Sequence, residues 1–277
     1  MRTQSSSVSI TAEQLNDYFA KVSSDASYKP PLKKVTAETQ IGNEFSESEI
    51  FNLLDKVKPR AFGLDCLPYW FLKLAEPSIA LPLAHLFNLS LKQSVVPSQW
   101  KISCITPVPK TSQPQTCQQF RPISVTPILS RIMEKTLVRR FLYPVLRDQS
   151  LFQSFSDQFA FRPSGSTTSA LIFLLHQLTN LLEKHDYVHL IALDFSKAFD
   201  TVRHCSLFQK MADFPLPDNV YNWLLEFLSD RLHETKFNGL HSHRLSINSS
   251  IIQGSGVGPV LFVFNAHDLH PIYLYGT

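Results

Sequence analysis

Val188 to Leu193 reads Val-His-Leu-Ile-Ala-Leu, an apolar run with one histidine that ends in Asp194. A run of this length predicts a buried strand that delivers a carboxylate at its C-terminal end. A chain holding such a strand needs a sizeable core around it. The composition allows one: 44% of the 277 residues are hydrophobic and 18% are charged, which excludes a chain that is disordered overall. The length suits one large domain or two small ones, at about 150 residues each.

Other classes fall away quickly. No uninterrupted apolar run reaches the ~18 residues of a membrane span, so none is expected. Met1 to Ser9 is polar and serine-rich, unlike a secretory signal, and the expected location is intracellular, in nucleus or cytoplasm. Cys66, Cys104, Cys117 and Cys205 lie far apart with no CxxC pair. That spacing argues against a zinc site or a disulfide framework and fits a reducing compartment.

The net charge of +3 conceals a division. Residues 1–55 carry −3, residues 56–147 carry +10 and residues 148–277 carry −4. The basic middle is either a solvated face or a track for a polyanion, since each neutralised phosphate releases counterions. The acidic segment after it is free to supply metal carboxylates.

Along the chain, residues 1–45 read as a polar linker or extension with one docking helix, Thr11 to Val22. Ser46 and Glu49 form an S-x-x-E capping box ahead of a helix. A second helical stretch, Pro68 to Leu91, is expected to break near Pro77 and Pro82. Ile102 to Val108 suits a strand. Thr126-Pro127 looks like an N-cap followed by proline at the first helical position. Ser166 or Thr167 caps a helix whose leucines (Leu171, Leu174, Leu175, Leu178, Leu181, Leu182) are expected in the core. Asp218 caps another, with Val220, Trp223, Leu224, Phe227 and Leu228 inward. Thr235 to Ile252 suggests a hairpin around Asn238-Gly239, and Val260 to Leu269 suits a helix.

Two stretches carry chemistry. In Leu193-Asp194-Phe195-Ser196-Lys197-Ala198-Phe199-Asp200, a carboxylate leaving a strand is placed to hold a hard cation such as Mg2+. Asp194 equally suits a helix cap, and Asp200 a surface cap or ion pair. In Gln253-Gly254-Ser255-Gly256-Val257-Gly258-Pro259, three of only 8 glycines cluster. Glycine permits close backbone approach to a ligand, and no Gly-Lys-Ser/Thr follows, so this is not a Walker A loop. His241 and His243 form an isolated HxH that reads as solvated, and His204-Cys205 lacks a base-orienter arrangement.

Six segments in order resemble the reverse transcriptase domain of non-LTR (LINE-type) retrotransposons. They are Ala61-Phe62-Gly63-Leu64-Asp65 with Val96-Pro97-Ser98-Gln99-Trp100-Lys101; Thr106-Pro107-Val108-Pro109-Lys110; Phe120-Arg121-Pro122-Ile123-Ser124; Phe159-Ala160-Phe161-Arg162-Pro163 with Ser166-Thr167-Thr168; the Asp194 stretch; and the Gln253 loop with Leu261-Phe262. The resemblance covers residues 45 to 270. It implies an α+β fold of right-hand polymerase type. Helix-rich basic fingers run to about residue 150, then a partial palm with an incomplete antiparallel sheet and no thumb. Residues 46–277 form this domain.

It also implies roles. Asp194 resembles the first metal-binding carboxylate of the palm, with the Phe195 carbonyl beside it. Phe199 sits where an aromatic ring lies under the incoming sugar and favours deoxynucleotides, although a core aromatic fits there too. Gln253 and Gly254 resemble the nucleotide-pocket loop. Lys110 and Arg121 resemble finger cations that grip the triphosphate, and Arg162 a template or structural residue. RNA template, DNA primer or target, and deoxynucleotides are the implied partners, with Mg2+ as cofactor. Two-metal nucleotidyl transfer also needs an aromatic-x-Asp-Asp hairpin. No Asp-Asp pair occurs in the sequence, and His267-Asp268-Leu269-His270-Pro271-Ile272 resembles the segment just before that hairpin. The expectation is a domain cut short there and inactive alone. The other reading is a non-catalytic nucleic-acid-binding remnant that uses the basic segment.

Overall fold

In a computed structural model, residues 10–36, 44–59, 63–151 and 155–269 are described. Met1 to Ser9, Ala61, Phe62 and the His270-Pro271-Ile272 end of the tail therefore lie outside the described residues. The apolar stretch after Trp100 forms strand β1 (Ile102–Pro109), as its composition predicts. Strand β2 (Phe120–Val125) pairs antiparallel to it, with Cys104 opposite Val125. Strand β3 (Arg231–Phe237) pairs parallel on its other side, with Cys104 opposite Glu234. Asn238 (φ +50°) and Gly239 (φ +80°) supply the two consecutive positive dihedrals of a type I′ turn. That turn folds β4 (Leu240–His241) back onto β3, and β5 (Leu245–Ile247) pairs with the start of β3. The sheet order is β2-β1-β3-β4, so the fold mixes helix with a mixed rather than antiparallel sheet.

Helix α1 (Ala12–Val22) opens with a reciprocal Thr11/Gln14 capping box. It lays Leu15 and Phe19 against Ile105 and Phe120 of the sheet. Asn16 ties it down, donating to the His243 carbonyl at 2.9 Å and accepting from the Thr235 hydroxyl at 2.9 Å. Helix α2 (Glu47–Asp55) has the expected Ser46 cap, whose hydroxyl accepts from the Glu49 N–H at 3.2 Å. Helix α3 (Tyr69–Gln93) runs unbroken through Pro77 and Pro82. Both prolines face solvent, where the carbonyls they free can bond water. The opposite face (Leu72, Ala80, Leu83, Ala84, Phe87, Leu91) is buried, and its packing overrides the break expected at the prolines.

Helix α4 (Ile128–Leu137) continues through a π turn (Val138–Leu142) into α5 (Tyr143–Arg147). Its cap is not Thr126, whose buried hydroxyl has no partner. The Asp65 carboxylate, 63 residues away in sequence, accepts from the Ile128 N–H at 2.8 Å instead. After α6 (Thr167–Leu182) and α7 (His204–Met211) comes α8 (Asp218–Leu228), the centre of the core. Trp223 there stacks on Phe227 and donates to the Ser90 hydroxyl at 2.9 Å. Asp218 sits in the first turn of α8 rather than at its cap. Helix α9 (Gly258–Ala266) closes the described chain.

Two further expectations are corrected. Residues 188–195 are irregular and, from His189 onward, exposed, with Ile191 at 80% and Leu193 at 86%. An extended segment becomes a strand only when a neighbour completes its hydrogen-bond ladder. Among the described residues no strand pairs with it. Helix α6 forms with its Ser166 cap, the hydroxyl accepting from the Ser169 N–H at 3.0 Å, yet none of its residues is buried. Its leucines mark an apolar face but do not join the core. Among the described residues no helix is long and apolar enough to cross a membrane.

Candidate functional site

The glycine loop is held on three sides. The Gln253 carbonyl accepts from the Ser124 N–H at 2.8 Å, docking the loop on the end of β2. The Gln253 side-chain amide donates to Asp200 Oδ1 at 2.7 Å. From below, the fully buried Glu134 carboxylate of α4 accepts from the N–H groups of Gly256 and Val257 and from the Ser130 hydroxyl. Burial pushes the Glu134 carboxyl well above its usual range. The same burial lowers the Arg231 guanidinium to about 10, and the two opposite charges favour one another. Arg231 also donates to the Phe227 carbonyl at 2.9 Å and lies over the Phe227 ring.

Gly254 sits where the loop meets β2. Its φ is +104°, and a Cβ there would lie 2.4 Å from the Ser124 carbonyl oxygen. Only glycine satisfies both conditions without displacing the strand.

Above the loop lies a cavity of about 410 Å³, bounded by Lys110, Arg121, Asp194, Phe195, Lys197, Asp200 and Gln253, with Tyr18, Phe19 and Val22 of α1 as one wall. This volume is in the range of small-molecule sites. Lys110 is steered there by the β1–β2 connection: its N–H donates to the Gln119 carbonyl at 2.7 Å and its ammonium to the Gln118 carbonyl at 2.9 Å. Arg121 stands on β2 opposite Val108. The turn 196–200 brings Asp200 inward, its N–H donating to the Lys197 carbonyl at 2.9 Å. Lys197 takes a positive φ of 57°, and its ammonium lies 5.0 Å from the centre of the Tyr18 ring. Burial raises the Asp200 carboxyl, against the hydrogen bond from Gln253 and the charges of Lys197 and Lys110.

Five of the residues singled out from sequence thus meet in one cavity: Lys110, Arg121, Asp194, Phe195 and Gln253. Gly254 adjoins them. Phe199 is not among the lining residues. Its ring stacks on Phe262 with centroids 4.9 Å apart and meets Phe161 edge-on. The Arg162 guanidinium bonds the Phe155 carbonyl. Asp200 and the α1 wall were not expected here. Asp200 looked like a surface residue because only the fold brings Gln253 to it, and α1 ends 88 residues before Lys110, the first lining residue beyond its cap. The basic segment is also less open than its charge suggests: Lys101 pairs with Glu226 at 2.5 Å and Arg140 with Glu49 at 3.2 Å.

Residues 108–271 match the family described as reverse transcriptase (RNA-dependent DNA polymerase). The chain belongs to the reverse transcriptase family. The match contains every cavity residue outside α1 and its C-terminal cap Ser23. Relatives agree. The RNA-directed DNA polymerase from mobile element jockey of Drosophila melanogaster is 30% identical over 243 residues, 86% of this chain and 25% of that protein. The probable RNA-directed DNA polymerase from transposon X-element of the same organism is 27% identical over 220 residues, 78% of this chain and 24% of that protein. A retrovirus-related Pol polyprotein from type-1 retrotransposable element R2 of Popillia japonica is 24% identical over 185 residues, 65% of this chain and 24% of that protein. The chain spans about a quarter of the length of these relatives. It is a reverse transcriptase domain of the non-LTR retrotransposon type.

Proposed function

We propose that the cavity binds the triphosphate of an incoming deoxynucleotide during RNA-templated DNA synthesis, within a right-hand polymerase whose fingers supply Lys110 and Arg121 and whose palm supplies Asp194. One observation carries this reading: two finger cations and a carboxylate more than seventy residues further on share one small cavity with the glycine loop. Lys110 offers a point charge. Arg121 offers a planar fork suited to bidentate phosphate binding. Gln253 and the turn 196–200 form the floor and rim.

The donor set suits a divalent cation. Asp194 is an exposed carboxylate at the cavity mouth, and Mg2+ is held by one or two carboxylates with the remaining positions left to water and phosphate oxygens. When bound, Mg2+ would neutralise charge on the triphosphate. Asp194 and the Phe195 carbonyl would hold it, while Lys110 and Arg121 orient the phosphates.

Equilibrium binding of a deoxynucleoside triphosphate in Mg2+ tests the reading. We expect one site per chain, weakened roughly 10–100-fold in Arg121→Ala, the scale of a lost charge-assisted hydrogen bond. Asp194→Ala should weaken binding in Mg2+ but not in its absence. Binding that is indifferent to both substitutions overturns the assignment.

We further propose that the 277-residue polypeptide on its own does not polymerise. Two cations need several carboxylates around them. Among the described residues, only Asp194 and Asp200 bring carboxylates to the cavity, and Asp200 is already engaged by Gln253. Primer extension on an RNA template should give no product. Product that disappears in Asp194→Ala would show that the site is sufficient.

A further inference from the structure

Away from the cavity, the sheet brings together a second group of ligating side chains. Cys104 on β1 and Glu234 on β3 are direct register partners, so their side chains leave the same face. The Asn238-Gly239 turn then returns β4 so that His241 stands opposite Lys236 on that face. His241 Nδ1 lies 2.8 Å from Glu234 Oε1. The ligand atoms of Cys104, Glu234 and His241 all lie within 4.8 Å of one another. Cys104 and Glu234 are buried, while the imidazole is 44% exposed.

We propose that Cys104, Glu234 and His241 form a binding site for Zn2+, with a water molecule as fourth ligand. One sulfur, one nitrogen and one carboxylate oxygen make a donor set that suits zinc over Mg2+ or Ca2+. Tetrahedral coordination at zinc's ordinary bond lengths of 2.0–2.3 Å places ligand atoms roughly 3.3–3.8 Å apart. The His241–Glu234 pair opens slightly and the thiol moves in, within reach of side-chain adjustment alone. On binding, the Cys104 thiol gives its proton to solvent, and the His241 proton moves to Nε2 so that Nδ1 can ligate. Thiolate and carboxylate then balance the dication. Arg244 Nε, 3.0 Å from Glu234 Oε2, holds the carboxylate's other oxygen, as an outer partner does in a built metal site. The ion would cross-link β1, β3 and β4.

The test uses the full chain with Co2+ as a spectroscopic probe and Zn2+ in competition with a chelating dye. We expect one ion per chain, and a sulfur-to-cobalt charge-transfer band that Zn2+ abolishes. The band should be absent in Cys104→Ser, and Zn2+ affinity should fall tenfold or more in His241→Ala, whose half-exposed side chain leaves the fold intact. Cys66→Ser and His243→Ala should match the parent chain. No charge-transfer band, a band that survives Cys104→Ser, or a loss in Cys66→Ser would overturn the site and leave only an ion-pair network on the sheet. The readout does not depend on nucleotide binding, so it stands or falls apart from the cavity.

Discussion

Glu134→Ala is expected to cost about 2–5 kcal/mol of folding stability, since each buried donor left without its acceptor costs about 1–3 kcal/mol. The side chain is fully buried and accepts from two loop N–H groups and the Ser130 hydroxyl. Its removal strands the Gly256 and Val257 donors and takes away the carboxylate that favours the charged form of the fully buried Arg231. Arg231 already has two nitrogens, Nε and Nη2, without a partner, so nothing nearby takes over. Against a typical domain stability of about 5–15 kcal/mol, that is a large fraction of what holds the fold. Glu134→Gln keeps a carbonyl acceptor for the Gly256 N–H and removes only the charge, so its loss should be clearly smaller. Urea denaturation of the three proteins measures both differences. Equal losses for Ala and Gln would mean that the charge alone matters and the loop hydrogen bonds do not. No loss in Glu134→Ala would remove Glu134 as the anchor of the loop.

Gly254→Ala is the second large effect. A non-glycine residue at positive φ costs about 1–3 kcal/mol, and the added Cβ must also push back a strand carbonyl from 2.4 Å. That carbonyl cannot yield without disturbing the Ser124–Gln253 hydrogen bond and the cavity floor. Gly239→Ala provides the internal comparison. Its φ is +80°, but a Cβ there meets nothing within 4 Å, so it carries the dihedral cost alone. We expect Gly254→Ala to lose more stability than Gly239→Ala and also to lose nucleotide binding, which Gly239→Ala retains. Thermal melting and nucleotide titration of both variants decide this. Equal behaviour would mean that the close approach to Ser124 places no demand on the loop.

Much of this site was legible because its signals are local. A glycine cluster in a glycine-poor chain marked the loop, and the apolar stretch before Lys110 marked β1. The period of Val220, Trp223, Leu224, Phe227 and Leu228 marked α8. What escaped the sequence was set by distant partners. Pro77 and Pro82 sit inside α3 because its other face is packed, which no local propensity records. Thr126 has the residue type of a cap, yet Asp65 reaches the helix first. The run 188–193 has the composition of a buried strand, but composition does not supply a neighbour for the ladder. Cysteine spacing gave no hint of the Cys104–Glu234–His241 cluster, because spacing along the chain says nothing about register across a sheet. Cys104 and Glu234 are 130 residues apart and directly opposite.

The docking of α1 has a consequence for how the chain is made. Asn16 binds a carbonyl 227 residues further along the chain, at His243. At a synthesis rate of about 5–20 residues per second, roughly 11–45 s separate the emergence of the two. Leu15 and Phe19 can meet Ile105 and Phe120 once β2 is made, but through that interval Asn16 lacks its partner beside the β3–β4 hairpin. The cavity wall formed by Tyr18 and Phe19 is therefore made long before the hairpin that helps fix α1, and the site takes its final shape only once that hairpin has been made.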